Sequence, residues 1–151
     1  MTGMSAFTIR SAIQADQVTI TRMVREAGIN PMSLKWRHFI VAEDGGRTVG
    51  IAQVKQHRDG TRELASVAVV PDRQGQGIGS AMVKELIASH GQDVLHLTCL
   101  DMRQGYYERF GFRRLGRKEY PPYFARMVPL FNSIGRLFRQ RIIVMRRDPP
   151  A

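Results

Sequence analysis

The sequence predicts a single α/β domain of 151 residues. Segments rich in β-branched residues, such as residues 66–70, are typical of strands. Segments with apolar residues at steps of three and four, such as the one after Asp16, are typical of amphipathic helices and alternate with the strands. At 151 residues the chain is long enough for one buried core, and 43% of its residues are hydrophobic. It shows no internal repeat or linker that would mark a second domain.

Strands are predicted in seven segments, most of which end at a turn signal. The segments are residues 7–12, 39–43, 48–54, 63–70, 94–100, 112–115 and 141–145. Residues 44–46 (Asp-Gly-Gly) and 59–60 (Asp-Gly) are typical hairpin turns and place the second, third and fourth strands side by side.

Helices are predicted from apolar periodicity and from the residues that flank it. The first follows Asp16 as its N-cap and runs to about Ala27, where Gly28 ends it. A short second helix covers residues 34–36. A third ends at about Ser89, and a fourth covers residues 104–110 before Gly111.

A glycine-rich turn joins the fourth strand to the third helix. A β-branched run ends at Pro71, then Gly75, Gly77 and Gly79 follow at alternate positions, and apolar periodicity begins at Ile78. The first N–H groups of a helix are unpaired and lie at the positive end of its dipole, so they attract an anion. Glycines let the backbone approach that anion closely. The turn therefore predicts a phosphate or pyrophosphate site.

Two common phosphate loops do not fit this turn. A Walker A loop has Lys and then Ser or Thr after its last glycine, whereas Ser80 follows Gly79 directly. A dinucleotide loop has the spacing G-x-G-x-x-G, which Gly75, Gly77 and Gly79 do not match. A third pattern, Q/R-x-x-G-x-G, matches residues 74–79 at every position. The alternative is a glycine-rich turn that only connects strand and helix.

Two motifs resemble the GNAT N-acetyltransferase superfamily. Residues 74–79 (Gln-Gly-Gln-Gly-Ile-Gly) resemble its acyl-CoA pyrophosphate loop, and residues 107–112 (Tyr-Glu-Arg-Phe-Gly-Phe) resemble its Y-E-K/R-x-G-F signature. The resemblance runs from about Phe7 to Phe112, with a final strand near residues 141–146. Residues 63–69 and the late Pro-rich, aromatic segment are also similar to acetyltransferase domains of N-acetylglutamate synthases.

The resemblance implies the GNAT fold. That fold has a central mixed, mostly antiparallel, twisted sheet of six or seven strands, flanked by about four helices. Its strands part at the cofactor site. Residues 121–139 would form an extra helical insert.

The resemblance also implies acetyl-CoA as cofactor, with no metal. Val67, Ala68 and Val69 would offer backbone groups to the pantetheine arm, and the Val69 N–H would polarise the thioester carbonyl. Arg73 would either neutralise a phosphate or be an ordinary surface arginine. The residues implied to hold the pyrophosphate are Gln74, Gly75, Gln76, Gly77, Ile78, Gly79 and Ser80.

The implied reaction is acetyl transfer to a primary amine by direct attack in a ternary complex. An amine with a pKa of about 10 is mostly protonated at neutral pH, so a general base must take its proton. Glu63 is the first candidate base, with pairing to Arg62 at a strand edge as the alternative. His96 is the second candidate, with a hydrogen-bonded core histidine as the alternative.

The departing thiolate needs a proton, and Tyr107 matches the family tyrosine that often supplies it. Its alternative is packing on Phe110, and Tyr106 would substitute if the helix were rotated. Many family members also carry an Asn before this helix that contacts the cofactor. Residues 100–105 contain none.

The insert has an amphipathic helical pattern interrupted at Pro129. Packing of its apolar face on the sheet is favoured, and Tyr123, Met127 and Phe131 would then line an acceptor pocket. A basic membrane-surface helix and a dimer interface remain alternatives.

Composition limits the partners and the location. The net charge of +10 attracts polyanions, which include coenzyme A, nucleic acid and anionic membranes. The single cysteine, Cys99, excludes an internal disulfide and predicts the cytoplasm. No apolar run reaches the roughly 18 residues of a transmembrane helix.

We expect a small-molecule amine acceptor, an amino acid or another small amine, and no specific nucleic acid. A homodimer is left open. The alternative functions are a non-catalytic CoA-binding regulatory module and a basic nucleic-acid or membrane-surface adaptor that reuses the fold.

Overall fold

The computed structural model describes residues 6–135 and 140–151. Contacts group the described residues into two compact units. The first unit comprises the chain up to Lys55 together with Leu64–Ser89, and the second comprises Gln56–Glu63 together with the chain from His90 onward. The single domain stays a prediction.

Seven strands form one open sheet in the order β1-β2-β3-β4-β5-β7-β6. The strands are β1 (Thr8–Ser11), β2 (Phe39–Asp44), β3 (Arg47–Gln56), β4 (Arg62–Val69), β5 (Leu95–Leu100), β6 (Arg113–Arg114) and β7 (Ile142–Arg147). The helices are α1 (Gln17–Ala27), α2 (Ile78–Ser89), α3 (Gln104–Glu108) and α4 (Pro122–Gly135). The sequence-based prediction of a mixed sheet with about four helices is confirmed.

In the first unit, α1 packs its apolar face on the hairpin of β2 and β3. Ile20 and Val24 are fully buried there against Phe39, Val41 and Ile51. β1 extends this part of the sheet by pairing antiparallel with β2. This core carries the strand β4 that leads into the glycine-rich turn.

Asp16 precedes α1 as predicted, but its side chain does not cap the helix. Its carboxylate instead accepts hydrogen bonds from Arg10 Nη1 and from the Ile13 N–H, both at 2.8 Å. The bond from Arg10 lowers the pKa of Asp16. At the other end, Gly28 adopts the left-handed conformation expected of a residue just past a helix.

The helix predicted over residues 34–36 is wrong. Trp36–His38 forms a single 3-10 turn instead. Ser33, just before this segment, has a positive φ of 59°, which breaks right-handed helical geometry. A segment this short also cannot repay the cost of nucleating an α-helix.

In the second unit, β5 pairs antiparallel with β7, which pairs antiparallel with β6. The first two residues of β4 and of β5 form a parallel ladder that joins Arg62 to Leu95 and Glu63 to His96. β4 continues beyond this ladder to Val69.

The insert forms α4, and its apolar face packs on the sheet as the favoured alternative expected. Phe124 and Val128 are buried against Leu115 and Val144. The interruption predicted at Pro129 is wrong, since α4 runs through this residue. Proline removes one helical N–H donor, and the burial of Phe124 and Val128 in the turns before it compensates for this loss. The last four residues of the predicted insert, 136–139, lie outside the described part of the chain.

Candidate active site

The glycine-rich turn has the backbone geometry that the sequence predicts. Gly75 and Gly77 have φ values of 78° and 83°, which strain any residue with a Cβ. α2 begins immediately afterwards, at Ile78. A Cβ on Gly79 would lie 3.7 Å from a methyl of Val69, an ordinary contact. The need for glycine is therefore conformational at the first two positions.

The turn is fastened to the end of β4. The Gln74 side chain donates from Nε2 to the Val69 carbonyl at 3.0 Å. Val70 N–H donates to the Val49 carbonyl at 2.9 Å. The strand end and the turn therefore form one braced segment.

Arg73 is not the surface arginine of the alternative, since it is buried with 8% of its surface exposed. Its Nη1 donates to Asp44 Oδ2 at 2.7 Å and its Nε donates to Gln76 Oε1 at 2.8 Å. The guanidinium therefore braces the turn from inside.

A second arginine pair lies beside the turn on the surface. Arg47 donates two hydrogen bonds of 2.8 Å to the Asp72 carboxylate. These bonds lower the pKa of Asp72 to about 2. The pair is exposed, so it is a weak contributor to stability.

β4 contains a non-glycine residue in the left-handed region. Ser66 has a φ of 57°, and Ser33 is the other such residue among those described. The buried side-chain amide of Gln53 contacts both serines. Its Nε2 donates to Ser66 Oγ at 2.8 Å and to the Ser33 carbonyl at 3.2 Å. Irregular strand backbone of this kind is frequent beside active sites.

The candidate base Glu63 lies in the second unit and is buried, with 7% of its surface exposed. Its Oε2 lies 2.8 Å from His57 Nε2. The alternative pairing with Arg62 is wrong, because Arg62 pairs with Asp93. Sequence reasoning missed His57, although a His and a Glu on either side of the Asp59-Gly60 turn are placed to face each other.

His96 is the neighbour of Glu63 across the parallel ladder. It is buried, and neither of its ring nitrogens has a hydrogen-bond partner among the described residues. Burial, and then the positive charge of Arg146, lower its pKa. The lowered pKa favours the neutral imidazole, and with both nitrogens lacking a partner among the described residues His96 is not the hydrogen-bonded core histidine of the alternative.

Two aromatic residues of α4 cover these histidines. The Tyr123 ring stacks on His57 with 3.6 Å between centroids, and Phe124 lies 5.8 Å from the His96 ring. The start of α4 therefore packs against His57, the partner of Glu63, and against His96.

Tyr107 is half-buried on α3. Burial, and then the neighbouring Cys99 and Tyr106, raise its pKa to about 12. Its ring meets Tyr106 at 5.0 Å and Phe112 at 6.2 Å between centroids. Phe110, which the alternative placed against Tyr107, meets Tyr106 at 5.3 Å.

The predicted site residues therefore divide between the two units. The implied cofactor residues, from Val67 through Ser80, lie in the first unit, while Glu63, His96 and Tyr107 lie in the second. Within residues 6–135 and 140–151, no cluster of three or more His, Cys, Asp or Glu side chains is arranged to hold a metal ion. None of the helices in that part of the chain has the length and apolar character needed to span a bilayer.

A comparison with known families identifies the chain. Residues 35–114, just over half of the chain, match the family described as Acetyltransferase (GNAT) domain. The chain belongs to the GNAT acetyltransferase family. The matched region includes Glu63, the glycine-rich turn and Tyr107, so the resemblance drawn from the two motifs is confirmed.

Other GNAT proteins share its sequence and fold at low identity. An uncharacterised N-acetyltransferase of Chlorobaculum tepidum is 24% identical over 123 residues, covering 75% of this chain and 79% of that protein. Rv2747 of Mycobacterium tuberculosis, solved in complex with CoA and NLQ, has a TM-score of 0.72 at 20% identity, over 95% of this chain and 99% of that one.

The fold also matches part of a longer protein. N-acetylglutamate synthase of Neisseria gonorrhoeae, solved with coenzyme A and N-acetyl-glutamate, has a TM-score of 0.70 at 23% identity over 93% of this chain. The chain spans only about a third of that protein, 35% of its length.

Proposed function

We propose that the protein is an acetyl-CoA-dependent N-acetyltransferase that acts on a primary amine by direct attack in a ternary complex. The observation that carries the proposal is the turn at the start of α2. Gly75 and Gly77 are left-handed there, and the buried Arg73 holds the turn in place. This geometry fits a pyrophosphate, and the family match makes acetyl-CoA the ligand that we propose.

Residues 67–69 and 74–80 would hold the cofactor, and bound acetyl-CoA would supply an activated acetyl group as a thioester. Glu63 would take a proton from the amine, whose nitrogen then attacks the carbonyl carbon. The Val69 N–H would stabilise the developing oxyanion. Tyr107, neutral because its pKa is raised to about 12, would donate the proton that the departing sulfur needs.

An amino acid is the acceptor class that we propose. Arg146 lies opposite His96 in the β5–β7 ladder, and His96 is the neighbour of Glu63 in the β4–β5 ladder. The Arg146 guanidinium, which pairs with Asp148 at 2.8 Å, is the positive charge that we propose to attract the acceptor. Positive charge attracts a carboxylate and repels a polyamine or a lysine-rich tail. The N-acetyl-glutamate bound by the Neisseria protein supports the same acceptor class.

We also propose a cytoplasmic location, which the single cysteine of the chain supports.

Thermal melting with added ligands tests the cofactor. Saturating acetyl-CoA should raise the melting temperature, since a ligand that binds the folded state stabilises it. ATP and NAD at the same concentration serve as controls for non-specific anion binding. An equal shift with all three, or no shift with acetyl-CoA, would contradict a CoA site and favour the basic adaptor.

Replacing Arg73 by Lys should weaken acetyl-CoA binding by roughly tenfold, because the turn must then be ordered on binding. Lysine keeps the positive charge but cannot bond Asp44 and Gln76 in two directions. Isothermal titration calorimetry measures the change in Kd. Arg47→Lys, which alters the exposed pair with Asp72, is the matched control and should leave Kd unchanged. Equal affinity for Arg73→Lys and the parent would show that bracing is unimportant.

A further inference from the structure

Gln53 is a fully buried polar residue of β3, and the proposed roles of the cofactor loop, Glu63 and Tyr107 do not explain it. Its Nε2 donates to Ser66 Oγ at 2.8 Å and to the Ser33 carbonyl at 3.2 Å. These two serines, with φ values of 57° and 59°, are the non-glycine residues in the left-handed region among those described. All three residues lie in the first unit.

The partners of Gln53 fix the orientation of its amide. A carbonyl oxygen can only accept a hydrogen bond, so Nε2 and not Oε1 must face the Ser33 carbonyl. Both N–H groups of Nε2 are then in use, while Oε1 is buried with no partner among the described residues. Because an unpaired buried oxygen lowers stability, the amide contributes through the two bonds that it donates.

The bond to Ser66 acts on the backbone of β4. A residue with a Cβ is strained in the left-handed conformation, and a serine in a strand would relax to an extended one in the absence of a restraint. The strain of one such residue and the contribution of one buried hydrogen bond are of similar size. The bond from Gln53 is therefore large enough to decide the conformation at this position.

The conformation of Ser66 bears directly on the proposed cofactor site. Residues 67–69, which follow it, are those proposed to hold the pantetheine arm, with the Val69 N–H as the oxyanion donor. The far end of this segment is fixed, because the Val70 N–H donates to the Val49 carbonyl at 2.9 Å. A change of φ at Ser66 must therefore be absorbed by residues 67–69, and it would turn their N–H groups.

We propose that Gln53 is a positioning residue for the cofactor site; this inference rests on the proposed N-acetyltransferase function. By holding Ser66 in the left-handed conformation, its amide orients the backbone N–H groups of residues 67–69 for acetyl-CoA. Gln53 itself does not touch the cofactor in this account.

Two substitutions of Ser66 separate its backbone conformation from its hydroxyl. Ser66→Ala removes the hydroxyl that Gln53 holds and keeps the Cβ that causes the strain. Ser66→Gly also removes the hydroxyl, but glycine adopts a positive φ without steric cost. Isothermal titration calorimetry should give a Kd for acetyl-CoA that is roughly tenfold weaker for Ser66→Ala than for Ser66→Gly, since the segment must then be ordered on binding.

A substitution of Gln53 tests the same role from the other side. Gln53→Met fills a similar volume without a donor and should weaken acetyl-CoA binding by roughly tenfold. Adding Ser66→Gly should restore the affinity. Adding Ser33→Gly is the matched control, since Ser33 has the same backbone conformation and the same amide partner, and it should give no restoration. If Gln53→Met does not fold, the comparison of the two Ser66 variants decides alone.

Equal Kd values for Ser66→Ala and Ser66→Gly would overturn the positioning role, as would restoration by Ser33→Gly instead of Ser66→Gly. A purely structural Gln53 would lower the melting temperature without a selective response to glycine at position 66. A parent protein that does not bind acetyl-CoA would refute the proposed cofactor and this role together. A parent that binds acetyl-CoA without transferring its acetyl group would refute only the N-acetyltransferase function, because the role of Gln53 is measured by binding.

Discussion

Replacing Glu63 by Gln is expected to lower kcat by at least about 100-fold, the lower end of what a general base contributes. The amide has the shape of the carboxylate and still accepts a hydrogen bond from His57, 2.8 Å away, so the fold and acetyl-CoA affinity should be retained. What the variant loses is the ability to take a proton from the amine.

The loss should be greatest at low pH. There the amine is almost entirely protonated, since its pKa is about 10, and the parent alone can deprotonate it. As the pH rises, free amine becomes available and the variant should recover part of its rate. A pH–rate profile of both proteins measures this. Glu26→Gln, at an exposed glutamate of α1, is the control.

The profile also distinguishes the candidate bases. A constant ratio of variant to parent rates across pH would point to water or to His96 as the base. His96 is a reasonable second candidate because burial, and then Arg146, lower its pKa, which leaves its imidazole neutral. A parent-like rate for Glu63→Gln would remove Glu63 from the mechanism.

Replacing Tyr107 by Phe is expected to lower kcat by roughly 100-fold while leaving the Kd for acetyl-CoA unchanged, as for loss of a general acid. Phenylalanine keeps the ring contacts with Tyr106 and Phe112 and removes only the hydroxyl. Because the raised pKa of Tyr107, about 12, keeps the phenol protonated below that pH, its proton is available throughout the working range. The parent rate should therefore show no loss below about pH 10 that is due to this group.

Tyr106→Phe is the matched control for this experiment. Tyr106 is adjacent on α3 and in ring contact with Tyr107 at 5.0 Å, so it reports on packing in the same place. If Tyr106→Phe lowered kcat while Tyr107→Phe kept the parent kcat, Tyr106 and not Tyr107 would be the proton donor. Steady-state kinetics and calorimetry on both variants separate kcat from binding.

The glycine-rich turn and the order of elements were predictable because they depend on local chemistry. Gly75 and Gly77 occupy positions where only glycine is unstrained, and such positions are visible in a sequence. The alternation of apolar residues likewise predicted the core strands and α1. These features need no knowledge of distant contacts.

The bracing contacts were not predictable in the same way. Arg73 bonds to Asp44, 29 residues away, and Gln53 bonds to Ser33, 20 residues away. A charged or polar residue in a sequence gives no sign of whether it will be buried with a distant partner. The left-handed backbone conformation of Ser66 in β4 was also not predictable, because serine has no marked preference for that conformation.

At Pro129 a strong local signal gave the wrong prediction. Proline predicts a break in a helix, yet α4 continues from Pro122 to Gly135. Burial of Phe124 and Val128 in the second unit outweighs the one hydrogen bond that proline removes. Tertiary packing decided this helix.

Release of free thiol from acetyl-CoA in the presence of primary amines tests the proposed N-acetyltransferase function most directly. A panel that includes amino acids, polyamines and lysine-containing peptides should give thiol release that requires both the protein and an amine, with an amino acid as the best acceptor. Mass spectrometry should find the N-acetylated amine in equal amount. Binding of acetyl-CoA without thiol release for any amine would contradict the enzyme and leave a CoA-binding module that does not catalyse.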